Sequence, residues 1–121
     1  MYTILCVDDH TPTVQSLSLI LQFAGYNCLI AETAESATRL FEDNSVDLVI
    51  VDHGLEDMTG IELASRLKSI KFTRVLMLTG NTALESTPAF VDMLVLKPFP
   101  PKDLLETVEY MLSARARAVG E

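Results

Sequence analysis

The chain has 121 residues, 49% of them hydrophobic, which is the size and apolar content of one domain with a single buried core. Its formal charge is −8, and its nine basic residues are scattered. It therefore lacks the clustered Lys and Arg that a nucleic-acid backbone demands, and direct binding to nucleic acid is not expected. No apolar run approaches the roughly 20 residues of a membrane span, and MYTILCVDDH lacks the basic-then-apolar order of a signal peptide. The expectation is one cytoplasmic domain over residues 1–121, with no membrane insertion. Cys6 and Cys28 lie inside apolar runs without metal-ligand spacing, so they read as reduced core residues.

From the N-terminus onward, short apolar runs alternate with amphipathic stretches, the signature of an α/β domain. Thr3–Val7, Tyr26–Ala31, Asp47–Val51, Arg74–Leu78 and Val91–Leu96 are rich in Val, Ile and Leu, as parallel strands buried on both faces should be. After the first run, Val14, Leu17, Leu21 and Ala24 recur at helical spacing, with Thr11-Pro12 as cap and first turn and Gly25 as the stop. Ala34, Ala37, Leu40 and Phe41 mark a second helix, and Ile61, Leu63, Ala64, Leu67 and Ile70 a third.

The fourth connection, GNTALESTPAF, predicts only a short or irregular helix, limited by Pro88. A last helix begins near Pro101, turns Leu104, Leu105, Val108, Met111 and Leu112 inward, and is expected to fray beyond Ala114. Right-handed crossovers then give a flavodoxin-like, doubly wound, five-stranded parallel sheet of order 2-1-3-4-5. Ligands in such folds sit beyond the carboxyl ends of the strands.

The residues at those ends are Asp8 and Asp9 after the first strand, Asp52 after the third, Thr79 after the fourth and Lys97 after the fifth. Taken singly, each has an ordinary explanation as a turn or strand-end residue. Together they form a pattern. Three carboxylates at one edge repel one another unless a cation joins them, and a hard, oxygen-liganded ion such as Mg²⁺ suits the task. Lys97 and the Thr79 hydroxyl add what a transferred phosphoryl group needs, a point charge and a hydrogen-bond donor.

The segments ILCVDDH, DLVIVDHGLEDMTGIEL, VLMLTG and VLKPF resemble the signature segments of bacterial response-regulator receiver domains, from Thr3 to about Leu112. The resemblance implies that Asp52 is phosphorylated by a sensor histidine kinase or a phosphotransfer protein. It implies that Asp9, Asp52 and the Gly54 carbonyl bind Mg²⁺ with help from Asp8 through water, and that Thr79 and Lys97 hold the acyl phosphate. Output would pass to a downstream protein or an attached domain, and the chain would not be a turnover enzyme on an external substrate. A cis peptide between Lys97 and Pro98 is also expected, since the chain must turn while the amine stays aimed at Asp52.

Four features depart from the family pattern. Glu56 replaces a common Pro and Thr59 a common Asp or Asn, so the loop after Asp52 is expected to be less rigid. Leu94 stands at the switch position that usually carries an aromatic ring, and the Thr79-to-Lys97 stretch is roughly one turn short. Phosphorylation is therefore expected to order Gly80–Ala89 rather than rotate a ring. Two rivals remain: a receiver that serves only as a docking module, and a haloacid-dehalogenase-like phosphatase. The latter lacks its second acid, because His10 and Thr11 stand two residues after Asp8 and Asp9.

Overall fold

A computed structural model describes residues 1–80 and 87–120, with side chains to Ser113. The strands are β1 (Thr3–Val7), β2 (Asn27–Ala31), β3 (Leu48–Asp52), β4 (Arg74–Thr79) and β5 (Met93–Leu96), all parallel, in the order β2-β1-β3-β4-β5. The helices are α1 (Thr11–Phe23), α2 (Ala34–Asp43), α3 (Gly60–Ile70) and α4 (Pro101–Gly120). The expected short helix between β4 and β5, and the expected ordering of Gly80–Ala89, fall largely at 81–86, outside the described residues.

Strand alternation sends the core to both sides of the sheet. Ile4, Cys6, Leu48, Ile50 and Leu76 pack against Val14, Leu17 and Leu21 of α1 and Leu104 and Val108 of α4. Their neighbours Leu5, Val7, Val49, Val51 and Met77 face Ala34, Ala37 and Phe41 of α2 and Leu63 and Leu67 of α3. The three central strands are therefore almost wholly buried, whereas β2 and β5, as edges, stay half open. Both cysteines are free; Cys6 is buried and Cys28 half-buried.

Several local expectations need correction. The residue capping α1 is His10 rather than Thr11, and its side chain makes no bond to the helix amides. Pro12 lies in the first turn, where its missing N–H costs nothing. The C-terminal stop stands: Gly25 has φ +94°, a conformation in which a side chain would be strained. The last helix, expected to fray beyond Ala114, is helical to Gly120, and its last residues include Ala and Arg, which are strong helix formers.

β3 and β5 begin one and two residues later than the apolar runs suggested, because Asp47 and Asp92 act before the strands rather than within them. The Thr3 amide donates to Asp47 Oδ2 at 2.8 Å while the Asp47 amide donates to Thr3 O at 2.8 Å. The Val75 amide donates to Asp92 Oδ2 at 2.8 Å while the Asp92 amide donates to Val75 O at 2.9 Å. Each aspartate thus ties the start of its own strand to the start of the neighbour. β3 and β4 also each run one residue further than expected, so Asp52 and Thr79 are the last residues of their strands.

Candidate functional site

The carboxyl edge gathers Asp8 and Asp9 beyond β1, Asp52 ending β3, Thr79 ending β4 and Lys97 beyond β5. Parallel register sets the depth of each group: Asp52 pairs with Leu78, and Thr79 with Leu96. The Lys97 amide donates to Thr79 O at 2.8 Å, and the Lys97–Pro98 peptide is cis, as expected. The Lys97 ammonium bonds Asp52 Oδ1, a contact between a one-third exposed amine and a mostly buried carboxylate. The other Asp52 oxygen accepts the Gly54 amide at 3.2 Å.

Asp8 is 5% exposed, and its Oδ1 accepts the His10 amide at 2.9 Å. Burial pushes its carboxyl pKa above the ordinary range; the negative charges of Asp52 and Asp9 push the same way, and the His10 amide and Lys97 only partly oppose them. Asp9 beside it is half-buried. Asp8, Asp9 and Asp52 thus bring three carboxylates to this edge, with the Lys97 ammonium on Asp52.

The loop after Asp52 is tied at two points. Gly54 and Thr59 form an antiparallel bridge across it, and Asp57 Oδ2 accepts the amide of Ala34, the first residue of α2, at 2.9 Å. Thr59, despite departing from the family pattern, caps α3 by accepting the Glu62 amide at 3.1 Å, a contact of about 1 kcal/mol. Gly60 then packs directly on the strand end. A Cβ there would lie 2.5 Å from the Asp52 carbonyl oxygen, so only glycine lets α3 start so close to the site.

The family model of the response regulator receiver domain matches residues 4–109. The chain belongs to this family. As a receiver domain in two-component signalling, it is 34% identical over 117 residues to the phosphate regulon transcriptional regulatory protein PhoB of Pseudomonas aeruginosa, covering 91% of this chain and 51% of that protein. It thus spans about half the length of the curated relatives it matches.

Among solved structures, a CheY-like receiver domain protein from Methanospirillum hungatei has a TM-score of 0.91 at 33% identity, covering 98% of both chains. The response regulator TrrA of Thermotoga maritima, solved in complex with Mg²⁺ and BeF, has a TM-score of 0.84 at 31% identity, covering 92% of this chain and 99% of that one.

Within this receiver domain, one site contact escaped the sequence reading. His53 Nδ1 lies 2.9 Å from Thr79 Oγ1. The available signal was the register itself, since pairing Asp52 with Leu78 brings the next residue on each strand side by side. The bond from Asp57 to Ala34 had no such signal, because it joins a loop to the start of a helix 23 residues away. Leu94, at the switch position, is half-buried and packs with the α2 and α3 side of the core, paired in register with Met77.

Proposed function

We propose that this receiver domain accepts a phosphoryl group on Asp52 from a sensor histidine kinase or a phosphotransfer protein in the cytoplasm, and passes the signal to a downstream protein or an attached output domain. The observation that carries this reading is the Lys97 ammonium seated on Asp52, with buried Asp8 alongside and the Thr79 hydroxyl on the next strand. An Asp52 oxygen attacks phosphorus, the donor's P–N bond breaks, and its electron pair returns to the donor imidazole. Lys97 neutralises charge on the incoming phosphoryl oxygens, and Thr79 donates a hydrogen bond to one of them. The chain consumes no external substrate in turnover; it is the acceptor.

Asp8, Asp9 and Asp52, with the Gly54 carbonyl, would hold Mg²⁺. The donor chemistry fits, being hard oxygen throughout and crowded enough to raise the Asp8 pKa. When bound, Mg²⁺ supplies positive charge that offsets the phosphoryl oxygens.

Intact mass after incubation with acetyl phosphate and Mg²⁺ tests the reading. The wild-type chain should gain one phosphoryl mass and Asp52→Asn none. A wild-type chain that gains nothing would be a docking module instead, and equal gain in both proteins would remove Asp52 from the role.

A further inference from the structure

We propose that the outward face of α1 is an interface between two copies of this chain, paired antiparallel about a two-fold axis so that Phe23 of each copy enters an apolar groove on the other. The proposal stands apart from the phospho-acceptor reading. Val14, Leu17 and Leu21 turn α1 into the core, yet its opposite side is largely apolar as well. Phe23 is 92% exposed and Leu19 57%, and with Pro12 and Ser16 they recur at helical spacing along one outward stripe. Beside this stripe, against the chain that follows β5, Pro12, Ser16, Ile20, Lys97 and Phe99 line a groove of about 470 Å³. The groove flanks the first part of the helix, and the exposed phenyl ring stands on its last residue.

That separation is what an antiparallel pair requires. About two helical turns lie between Ser16 and Phe23, so an axis passing between Leu19 and Ile20 sets Phe23 of each copy opposite Ser16 of the other. Each ring then meets the other copy's groove, and the two contacts form together. A ring seated there also stands beside Lys97, at the flank of the acidic edge.

Charge points to a second copy as the occupant. The chain carries −8 overall, yet no Asp, Glu, Lys or Arg occurs from Thr11 to Ala31. The outer face of α1 is therefore where two anionic copies can meet without like-charge contact, and a highly charged partner would gain no ion pair from it. Orientation follows from the same distribution. Asp8, Asp9 and Glu32 lie at the amino end of α1, where Thr11 bonds the Glu32 carboxylate. Parallel pairing would bring two such acidic ends together, whereas antiparallel pairing sets each against the uncharged Ala24-Gly25 end of the other copy. One helix face is smaller than a standard interface, so the dimer should be a weak one.

Sedimentation equilibrium of the full chain, from about ten to several hundred micromolar, tests the pairing. The wild-type mass should rise towards twice that of the monomer, and added salt should strengthen the association by screening the remaining like charge. Phe23→Glu and Ser16→Arg, both at exposed positions, should each weaken it about tenfold or more, since each sets a charge in the contact. A chain carrying both substitutions should associate more tightly than either single variant, because each new carboxylate then faces the other copy's new guanidinium. Within one helix the two positions are too far apart to pair. Monomer at every concentration leaves the face to a different protein and overturns the proposal. A dimer indifferent to both single substitutions overturns it too, as does a double variant no tighter than the singles.

Discussion

Aspartates stand at both ends of the sheet, and their surroundings are opposite. At the amino ends, Asp47 accepts the Thr3 amide and Asp92 the Val75 amide, each near the start of a neighbouring strand, and Asp92 Oδ2 also takes the Lys68 ammonium at 2.7 Å. At the carboxyl ends, Asp8 is buried and feels the negative charges of Asp52 and Asp9, and the Lys97 ammonium lies on Asp52. The first pair stabilises the sheet by matching each carboxylate to donors. The second group is held together by the fold at a cost, and on the proposed reading that charge would be met by a cation and a phosphoryl group.

The sharpest way to break the comparison is Gly60→Ala, which places a methyl group 2.5 Å from the Asp52 carbonyl. It should cost about 3 kcal/mol by denaturant unfolding and weaken beryllofluoride binding, because the strand end itself must move. A stable variant with intact binding would show that the close approach of α3 does not position Asp52. At the opposite edge, Asp92→Ala should cost about 2 kcal/mol, leaving the Val75 amide and Lys68 without this partner while beryllofluoride affinity stays unchanged. A loss of affinity there would mean that the two ends of the sheet are not independent.

The smallest effect should have the opposite sign. The Asp8 pKa is raised in the folded chain, so the fold binds that proton more tightly than the unfolded chain does. Its contribution to stability is present below the unfolded carboxylate pKa and is lost as pH rises through the folded value. Without Mg²⁺, Asp8→Asn should therefore unfold at a higher temperature than the wild type at neutral pH. That advantage should shrink as pH falls through the carboxylate range. A variant less stable at neutral pH, or an advantage independent of pH, would show that Asp8 is not held against its charge.

The sequence revealed the sheet order because strands buried on both faces are nearly continuous runs of Val, Ile and Leu, and β1 was placed to the residue. It also located Asp8, Asp9, Asp52, Thr79 and Lys97 at one edge, since strand ends are local features. It blurred the starts of β3 and β5, where Val46-Asp47 and Val91-Asp92 extend the apolar pattern although each aspartate works as a clip. His10 capping α1 was missed because its role is one of backbone geometry, without a side-chain signal. The brace from Asp57 to α2 was invisible for a different reason, as a side-chain bond from a loop to a distant helix start leaves no period in the chain.

That brace makes the loop behind Asp52 and the second helix parts of one linkage. The Ala34 amide is among the helix-start donors that have no partner within α2, and it is served from a loop 23 residues away. A loop that shifts must either carry α2 with it or abandon that amide. The contact thus ties the loop beyond β3 to a helix that packs beside β2, at the opposite edge of the sheet from β5 and Leu94.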